Sequence, residues 1–319
     1  MSSSFGERYS YFKQVLSPIW LFKSEKELQL AKEIVNTPGV PNERVSVADV
    51  KWARTLYASA FHPDTGQVNP LIGRMSFQIP GNTIVTALML TFYRSPLQQV
   101  SMQFINQSFM AFCNYTNRNA QAPLSNQQVL LGYLSATGTA VGVSFQLSRV
   151  AAKATNPLMA KLVPFVAVCA GNMVNVPLMR QQDFLEGIPV NDSPLEQGGG
   201  SNRLGQSRQL GVMCLAQVVA TRISAAIPIM VLPPLVMNYL NKSAERRNIQ
   251  VHKKSFGRPL WVLFEASLIG VCTYMVLPLA VALFPQHSSI SIDKLERPLH
   301  RQIKETHPNV QVVYYNKGL

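Results

Sequence analysis

Charge is what this sequence has least of. Asp, Glu, Lys and Arg together make up 14% of its 319 residues, against 47% hydrophobic. That balance is too apolar for an ordinary soluble protein and too mixed for a chain made only of membrane spans. Acid is scarcer than base, 16 residues against 29, for a net charge of +13. No lysine and arginine block is interleaved with base-stacking aromatics, and much of the excess sits beside apolar runs. Positive charge retained on one face of a membrane explains it better than nucleic acid does. Cysteine is also sparse: Cys113, Cys169, Cys214 and Cys272 are each isolated, with no CxxC or CxxH spacing, which argues against disulfides and structural zinc. No cleavable targeting peptide is expected. The first 33 residues have no continuous apolar core, and Glu7, Glu25, Glu27 and Glu33 do not suit an acid-poor presequence, so any address is internal. No nucleophile stands at a recognisable spacing from a base and no cofactor fingerprint occurs, so neither an enzyme nor a bound cofactor is expected.

What the sequence does have is long uncharged runs. Residues 162–179, LVPFVAVCAGNMVNVPLM, contain no charge and are long enough to cross a bilayer as a helix, yet they carry Asn172, Asn175, Pro164 and Pro177. An unpaired amide in hydrocarbon costs several kcal/mol, so the two asparagines are expected to face other helices or a polar cavity. Comparable spans are read at 129–147, where Gly132, Ala136, Gly138, Ala140 and Gly142 permit close helix approach, at 223–240 and at 266–284. Residues 75–93 and 95–117 are uncharged too, but the second is rich in amides, with Gln98, Gln99, Gln103, Asn106, Gln107 and Asn114. It reads either as an interrupted binding-site segment or as an amphipathic surface helix, which leaves five or six spans. The fold class is therefore all-α: a polytopic helical membrane domain over 75–284, preceded by a helical soluble or interfacial domain over 1–74 and followed by a tail over 285–319.

Within the first region, Ser24 is placed to cap a helix whose apolar positions Leu28, Leu30, Ala31, Ile34 and Val35 follow helical spacing, and TPGVP at 37–41 ends it. A second helix is expected over 46–61. The motif His62, Pro63, Asp64, Thr65, Gly66 reads as a tight turn; one histidine and one aspartate are too few ligands for a metal. The stretch QGGGSN at 197–202 reads as a flexible loop, too short on phosphate-binding features to be a P-loop.

Intramembrane polarity marks the candidate site. Asn106, Gln107, Asn172 and Asn175 are the amides set most deeply in apolar stretches, and are expected to line one polar cavity or to bond between helices. Arg222 and Glu265 are the charges beside long apolar runs; they are expected to pair, to meet a bound zwitterion, or to snorkel, with a buried role for Arg222 and snorkelling for Glu265. With five spans, the loops holding Arg149, Lys153 and Lys161, and Lys242, Arg246, Arg247, Lys253, Lys254 and Arg258, stay on one side with the N-terminus, and the C-terminus lies opposite.

Several stretches resemble one family. They are LYASAFHPDTG at 56–66, IGRMS at 72–76, TFYR at 91–94, INQSF and NYTNR within 105–118, VPFVAV from Val163, NVPLMRQ at 175–181, FPQ at 284–286 and YYNKG at 314–318. In that order and spacing they are similar to the sideroflexins, a family of mitochondrial inner-membrane proteins. The resemblance implies a multi-pass protein with its N-terminus in the matrix and its C-terminus in the intermembrane space, carrying serine and other small neutral amino acids for one-carbon metabolism. Some members are instead linked to iron and haem handling, which gives the alternative of a non-transporting scaffold. Ser17, His287, Gly171 and Met173 depart from the usual pattern, as does the triple glycine at Gly198.

Overall fold

The computed structural model describes residues 4–42, 44–62, 65–116, 126–153, 158–194, 202–246 and 257–317. Three serines start the first three helices. Ser4, Ser24 and Ser46 each accept from a backbone amide three residues on, and Glu7, Glu27 and Asp49 return the bond to the cap, giving α1 (Phe5–Val15), α2 (Glu25–Asn36) and α3 (Val47–Ala60). Each such cap is worth roughly 0.5–2 kcal/mol. The Glu27 carboxyl is held down at about 2, first by Lys23, 2.7 Å away, and then by the Ser24 groups. α2 and α3 close on each other through Leu28, Ala31, Ile34, Val50, Ala53, Leu56 and Ala60. The expected helices at 24 onward and 46–61 are thus present. α1 was not legible, because its capping box precedes a helix with little apolar periodicity.

Six longer helices follow: α4 (Gln78–Thr91), α5 (Pro96–Thr116), α6 (Asn126–Lys153), α7 (Leu158–Met179), α9 (Arg208–Met230) and α11 (Gly257–Ala282). Between them lie the five-residue α8 (Gln181–Leu185) and the 15-residue α10 (Leu232–Arg246). The molecule is almost entirely helical. By length and composition, Leu158–Met179, Arg208–Ala244 and Pro259–Ala282 suffice to cross a membrane. α5 and α6 are long enough, but amides in one and small polar residues in the other dilute their hydropathy. Large apolar side chains point outward all along these helices, among them Leu131, Leu134, Val166, Met173, Ile227, Leu263, Val271 and Met275, while Asn172 and Asn175 point inward. A bundle apolar outside and polar inside is matched to lipid.

The helices pack antiparallel in sequence. Gln78 near the start of α4 meets Cys113 near the end of α5; Gln99 of α5 meets Ser144 late in α6; Gly132 early in α6 lies against Met179 at the end of α7. The start of α4 and the end of α11 share a cluster of Ile79 and Ala282, and the α4 residues Val85 and Met89 cluster with Ile269, Cys272, Ile229 and Met230. Residues 75–93 and 95–117 therefore contribute one helix each. The surface alternative for 95–117 does not hold, since Gln99, Gln103, Asn106 and Gln107 are buried against neighbouring helices rather than solvated.

Two expectations need correction. The helix expected over 223–240 starts at Arg208 and breaks at Val231, so Arg222 lies inside α9 and not before it. Pro228, Pro233 and Pro234 explain the break: each lacks an amide hydrogen and cannot bond back to the preceding turn. The segment after 285 is folded, not trailing. β3 (His287–Ser291) pairs with β4 (Val312–Asn316), and β4 with β1 (Ile188–Asn191), which pairs with β2 (Arg203–Ser207), in the order β2-β1-β4-β3. α12 (Arg297–Thr306) covers this sheet through Leu299 and Ile303, against Leu204, Leu210 and Val313. Finally, the two ends of the chain meet. Phe12 and Leu16 of α1 pack with Ala282, Arg8 Nε donates to the Ala282 carbonyl at 3.0 Å, and Arg180 at the end of α7 donates to the carbonyl of Lys317 at 2.5 Å. The two terminal segments therefore pack at one end of the helical bundle.

Candidate functional site

α5 carries one polar face. Gln99, Gln103, Asn106, Gln107 and Asn114 recur at helical spacing, and all but Asn114 are fully buried. At the N-terminal part of this face, Gln103 Nε2 donates to the Tyr93 hydroxyl at 2.6 Å, Tyr93 donates to Ser144 Oγ at 2.7 Å, and Ser144 donates to Gln99 Oε1 at 3.0 Å. These four groups tie the end of α4 and the middle of α6 to α5. At the other end, Arg222 Nη2 of α9 donates to Asn114 Oδ1 at 2.9 Å, and Asn114 Nδ2 donates to Asn175 Oδ1 of α7 at 3.2 Å.

Between these two networks the bonding is incomplete. Gln103 Oε1, Asn106 Nδ2, Gln107 Nε2 and Arg222 Nη1 are buried and find no hydrogen-bond partner within the protein. A buried polar atom left so costs roughly 1–3 kcal/mol, more when charged, so four along adjacent helices are a large local cost. Three are donors and one is an acceptor. That set suits a small guest carrying an anionic acceptor and a cationic donor.

Close backbone approach and helix breaks shape the same region. A Cβ on Gly171 of α7 would stand 2.5 Å from Gln107 Nε2 and 3.3 Å from Ala140 Cβ, so the glycine is what lets α5, α6 and α7 meet there. Pro177 cannot donate to the carbonyl four residues back, which releases the Met173 carbonyl beside Asn172 and Asn175.

The structure thus joins Asn175 and Arg222 through Asn114, and sets Gln107 against Gly171, one residue from Asn172. Asn106 is buried on the same α5 face. Glu265 stands apart: it is half-buried in α11, Arg222 is bonded to Asn114 and not to it, and the cation it senses is Lys161. Asn114, Tyr93 and Ser144 belong to the networks and were not singled out; the signal for Asn114 was its place seven residues beyond Gln107 on the amide face.

In the motif at 62–66, Pro63 and Asp64 lie outside the described residues. Of the rest, Gly66 has φ +61, its amide donates to the His62 carbonyl at 3.0 Å, and Thr65 N donates to His62 Nδ1 at 3.3 Å. Lys32 Nζ of α2 holds the Gly66 carbonyl at 2.9 Å, so the turn is pinned to the helix pair beside it. The glycine-rich loop over 197–202 lies outside the described residues save Asn202, as do Arg118, Arg247, Lys253 and Lys254. Among the described residues no three His, Cys, Asp or Glu side chains gather where a metal ion would sit, and none of the four cysteines forms a disulfide. A cavity of about 420 Å³ opens between α5 and α6, walled by Phe112, Tyr115, Leu130 and Tyr133, and touches none of the expected site residues.

Comparison with known proteins places this arrangement. No solved structure matches the chain. Sideroflexin-3 of Rattus norvegicus is 42% identical over 325 residues, covering 99% of this chain and 95% of that protein. Sideroflexin-1 of Homo sapiens is 40% identical over 321 residues, covering 99% and 94%. The family model described as Sideroflexins matches residues 2–319. The resemblance read from scattered motifs accordingly holds over the N-terminal helices, the bundle and the C-terminal strands alike, and the chain belongs to the sideroflexins.

Proposed function

We propose that this protein carries serine and other small neutral amino acids across the mitochondrial inner membrane, in support of one-carbon metabolism. The observation that carries the reading is the set of unpartnered buried atoms beside the row Arg222, Asn114, Asn175. An amino acid is a zwitterion, with one group that accepts and one that donates. Its carboxylate accepts from Arg222 Nη1, and the Gln103, Asn106 and Gln107 amide atoms, spread along the same face of α5, supply further polar partners. Charge-assisted bonds of this kind are about twice as strong as neutral ones, which offsets removal of the solute from water. Asn172 and the released Met173 carbonyl lie on α7 within one turn of Asn175. Glu265, remote from Arg222, serves at the bundle's edge.

Sidedness follows from the same geometry. Arg149, Lys153, Lys161, Lys242 and Arg246 lie at the ends of helices opposite the shared end of the two termini. Because lysine and arginine are retained on the side of synthesis or import, the basic end faces the matrix and both terminal regions face the intermembrane space. This proposed placement of the N-terminus differs from the matrix side that five spans imply.

The test is uptake of labelled serine into liposomes containing the purified protein, with Arg222→Gln as the paired control. Uptake above empty liposomes that is lost in the variant supports the reading. Uptake equal to empty liposomes sinks it and leaves the scaffold of iron and haem metabolism as the remaining role.

A further inference from the structure

The FPQ and YYNKG motifs at 284–286 and 314–318 take no part in the α5 site, yet the fold brings them together. Lys317 N donates to the Gln286 carbonyl at 2.7 Å, and His287 faces Asn316 across the β3–β4 pair. The Lys317 side chain is only 3% exposed, with its ammonium 5.8 Å from the centre of the Phe284 ring. A lysine so buried ordinarily has a carboxylate partner. Here it makes no hydrogen bond or ion pair with a side chain among the described residues, and its charged neighbours are Arg180 and Arg8.

Arg180 is bonded on two sides. Its Nη2 holds the Lys317 carbonyl and its Nε and Nη2 reach Asp183, while Nη1 is buried with no partner in the protein. His287 Nδ1 is buried and unpartnered as well. Arg8 is delivered by α1 and is anchored through Nε to the Ala282 carbonyl at the end of α11. Among the described residues Arg180 and Lys317 thus stand side by side, with Arg8 near them, Asp183 bonded to Arg180 and the Cys214 thiol beside them. Like charges drawn together at low exposure repel, and the arrangement is stable when an anion lies between them.

We propose that Arg180, Lys317 and Arg8, with His287 at the edge, form a binding site for a phosphate-type oxyanion where the N-terminal helix, the end of the bundle and the C-terminal sheet meet. Phosphate chemistry fits because the free groups are donors only: a guanidinium nitrogen, an ammonium, and a ring nitrogen able to carry a proton. The site lies at the end of α7 and α11, two helices long and apolar enough to cross a membrane, so a lipid phosphodiester and free phosphate both present the required oxygens.

The experiment measures thermal unfolding of the full-length protein in neutral detergent. Three additions are compared at constant ionic strength: inorganic phosphate, phosphatidylglycerol in mixed micelles, and matched chloride with phosphatidylcholine. The wild type is expected to gain about 2–4 °C or more with one of the first two additions and nothing with the third. A gain with inorganic phosphate assigns a soluble ligand, and a gain with phosphatidylglycerol alone assigns a headgroup; either supports the site. Lys317→Met should lose the gain, and Arg8→Gln, which leaves the sheet intact, should halve it or more. Equal unfolding in all three additions overturns the proposal, as does a gain that survives in both variants.

Discussion

The guanidinium of Arg222 donates a 2.9 Å hydrogen bond to the side-chain oxygen of Asn114, and so a charge in the middle of α9 is held by an amide near the end of α5. Asn114 passes the contact on to Asn175, which ties three helices together through one asparagine. The remaining Arg222 nitrogen, Nη1, has no partner in the protein. Loss of the charge removes a bond to substrate worth about 1.5–3 kcal/mol, or roughly 10- to 100-fold in rate or affinity. Arg222→Gln is therefore expected to lower serine uptake by that factor or more while the protein elutes as a folded species. Arg222→Lys should recover part of it, because the charge returns without the planar fork. Glu265→Gln should have a milder effect. Wild-type uptake by Arg222→Gln shows that the charge has another role.

The four expected amides give a second outcome. Single cysteines at Asn106, Gln107, Asn172 and Asn175, placed in a background without Cys113, Cys169, Cys214 and Cys272, should react with a small water-soluble thiol reagent, and serine should slow the reaction. Uniform protection at all four positions means that the amides only bond between helices, and the cavity reading fails.

Backbone contact at α8 predicts a stability loss without a change of polarity. A Cβ on Gly211 would lie 1.7 Å from the Asp183 carbonyl oxygen, an atom that cannot swing aside, whereas a Cβ on Gly138 meets nothing within 4 Å. Gly211→Ala should therefore cost about 1–3 kcal/mol or more through overpacking, lowering the midpoint of thermal unfolding by roughly 2–4 °C for each kcal/mol. Gly138→Ala should leave it in place. Equal midpoints for the two variants would falsify the close packing of α9 on the α7–α8 turn.

What the sequence made legible follows from where its signals are local. The runs 129–147, 162–179 and 266–284 fall within α6, α7 and α11, since unbroken hydropathy is a local property. Ser24 and Ser46 cap α2 and α3 as their spacing suggested. The sheet was hidden because its strands are four or five residues long, and β1 and β4 lie far apart in the chain. No short-range pattern announces such a pairing. The start of α9 was missed for another reason: Arg222 resembles the polar edge of a span, and only its contact with Asn114 shows that a charge inside the bundle is tolerated. The same distance effect concealed Asn114 itself. The amide face of α5 is readable by spacing, but which amide meets α7 and α9 depends on how the helices cross.

The shared end of the chain yields a prediction on sidedness. Phe12 and Leu16 of α1 pack with Ala282 of α11, so an N-terminal and a C-terminal tag should respond alike to protease added to mitochondria with a ruptured outer membrane. Removal of both tags is expected, as the basic helix ends occupy the matrix side. Survival of both keeps the common end but reverses the bundle. Removal of one alone contradicts a shared side for the two termini.

Lys317 supplies a pH dependence whose sign is fixed by its surroundings. Burial first, and then Arg180 and Arg8, lower its ammonium from 10.5 to about 8 in the folded protein. The unfolded chain then binds more protons than the folded one between about pH 8 and pH 10.5, so stability rises with pH across that window as the folded lysine sheds its charge. Below about pH 8 the full penalty is present, because both states are protonated. Lys317→Met removes the penalty. In anion-free detergent it should unfold at a higher temperature than wild type at neutral pH, and the difference should shrink as the pH is raised through the window. Thermal unfolding across that range in both proteins checks this. A wild type whose stability falls relative to Lys317→Met above pH 8 would mean that a bonded anion, already bound to the purified protein, holds the ammonium charged.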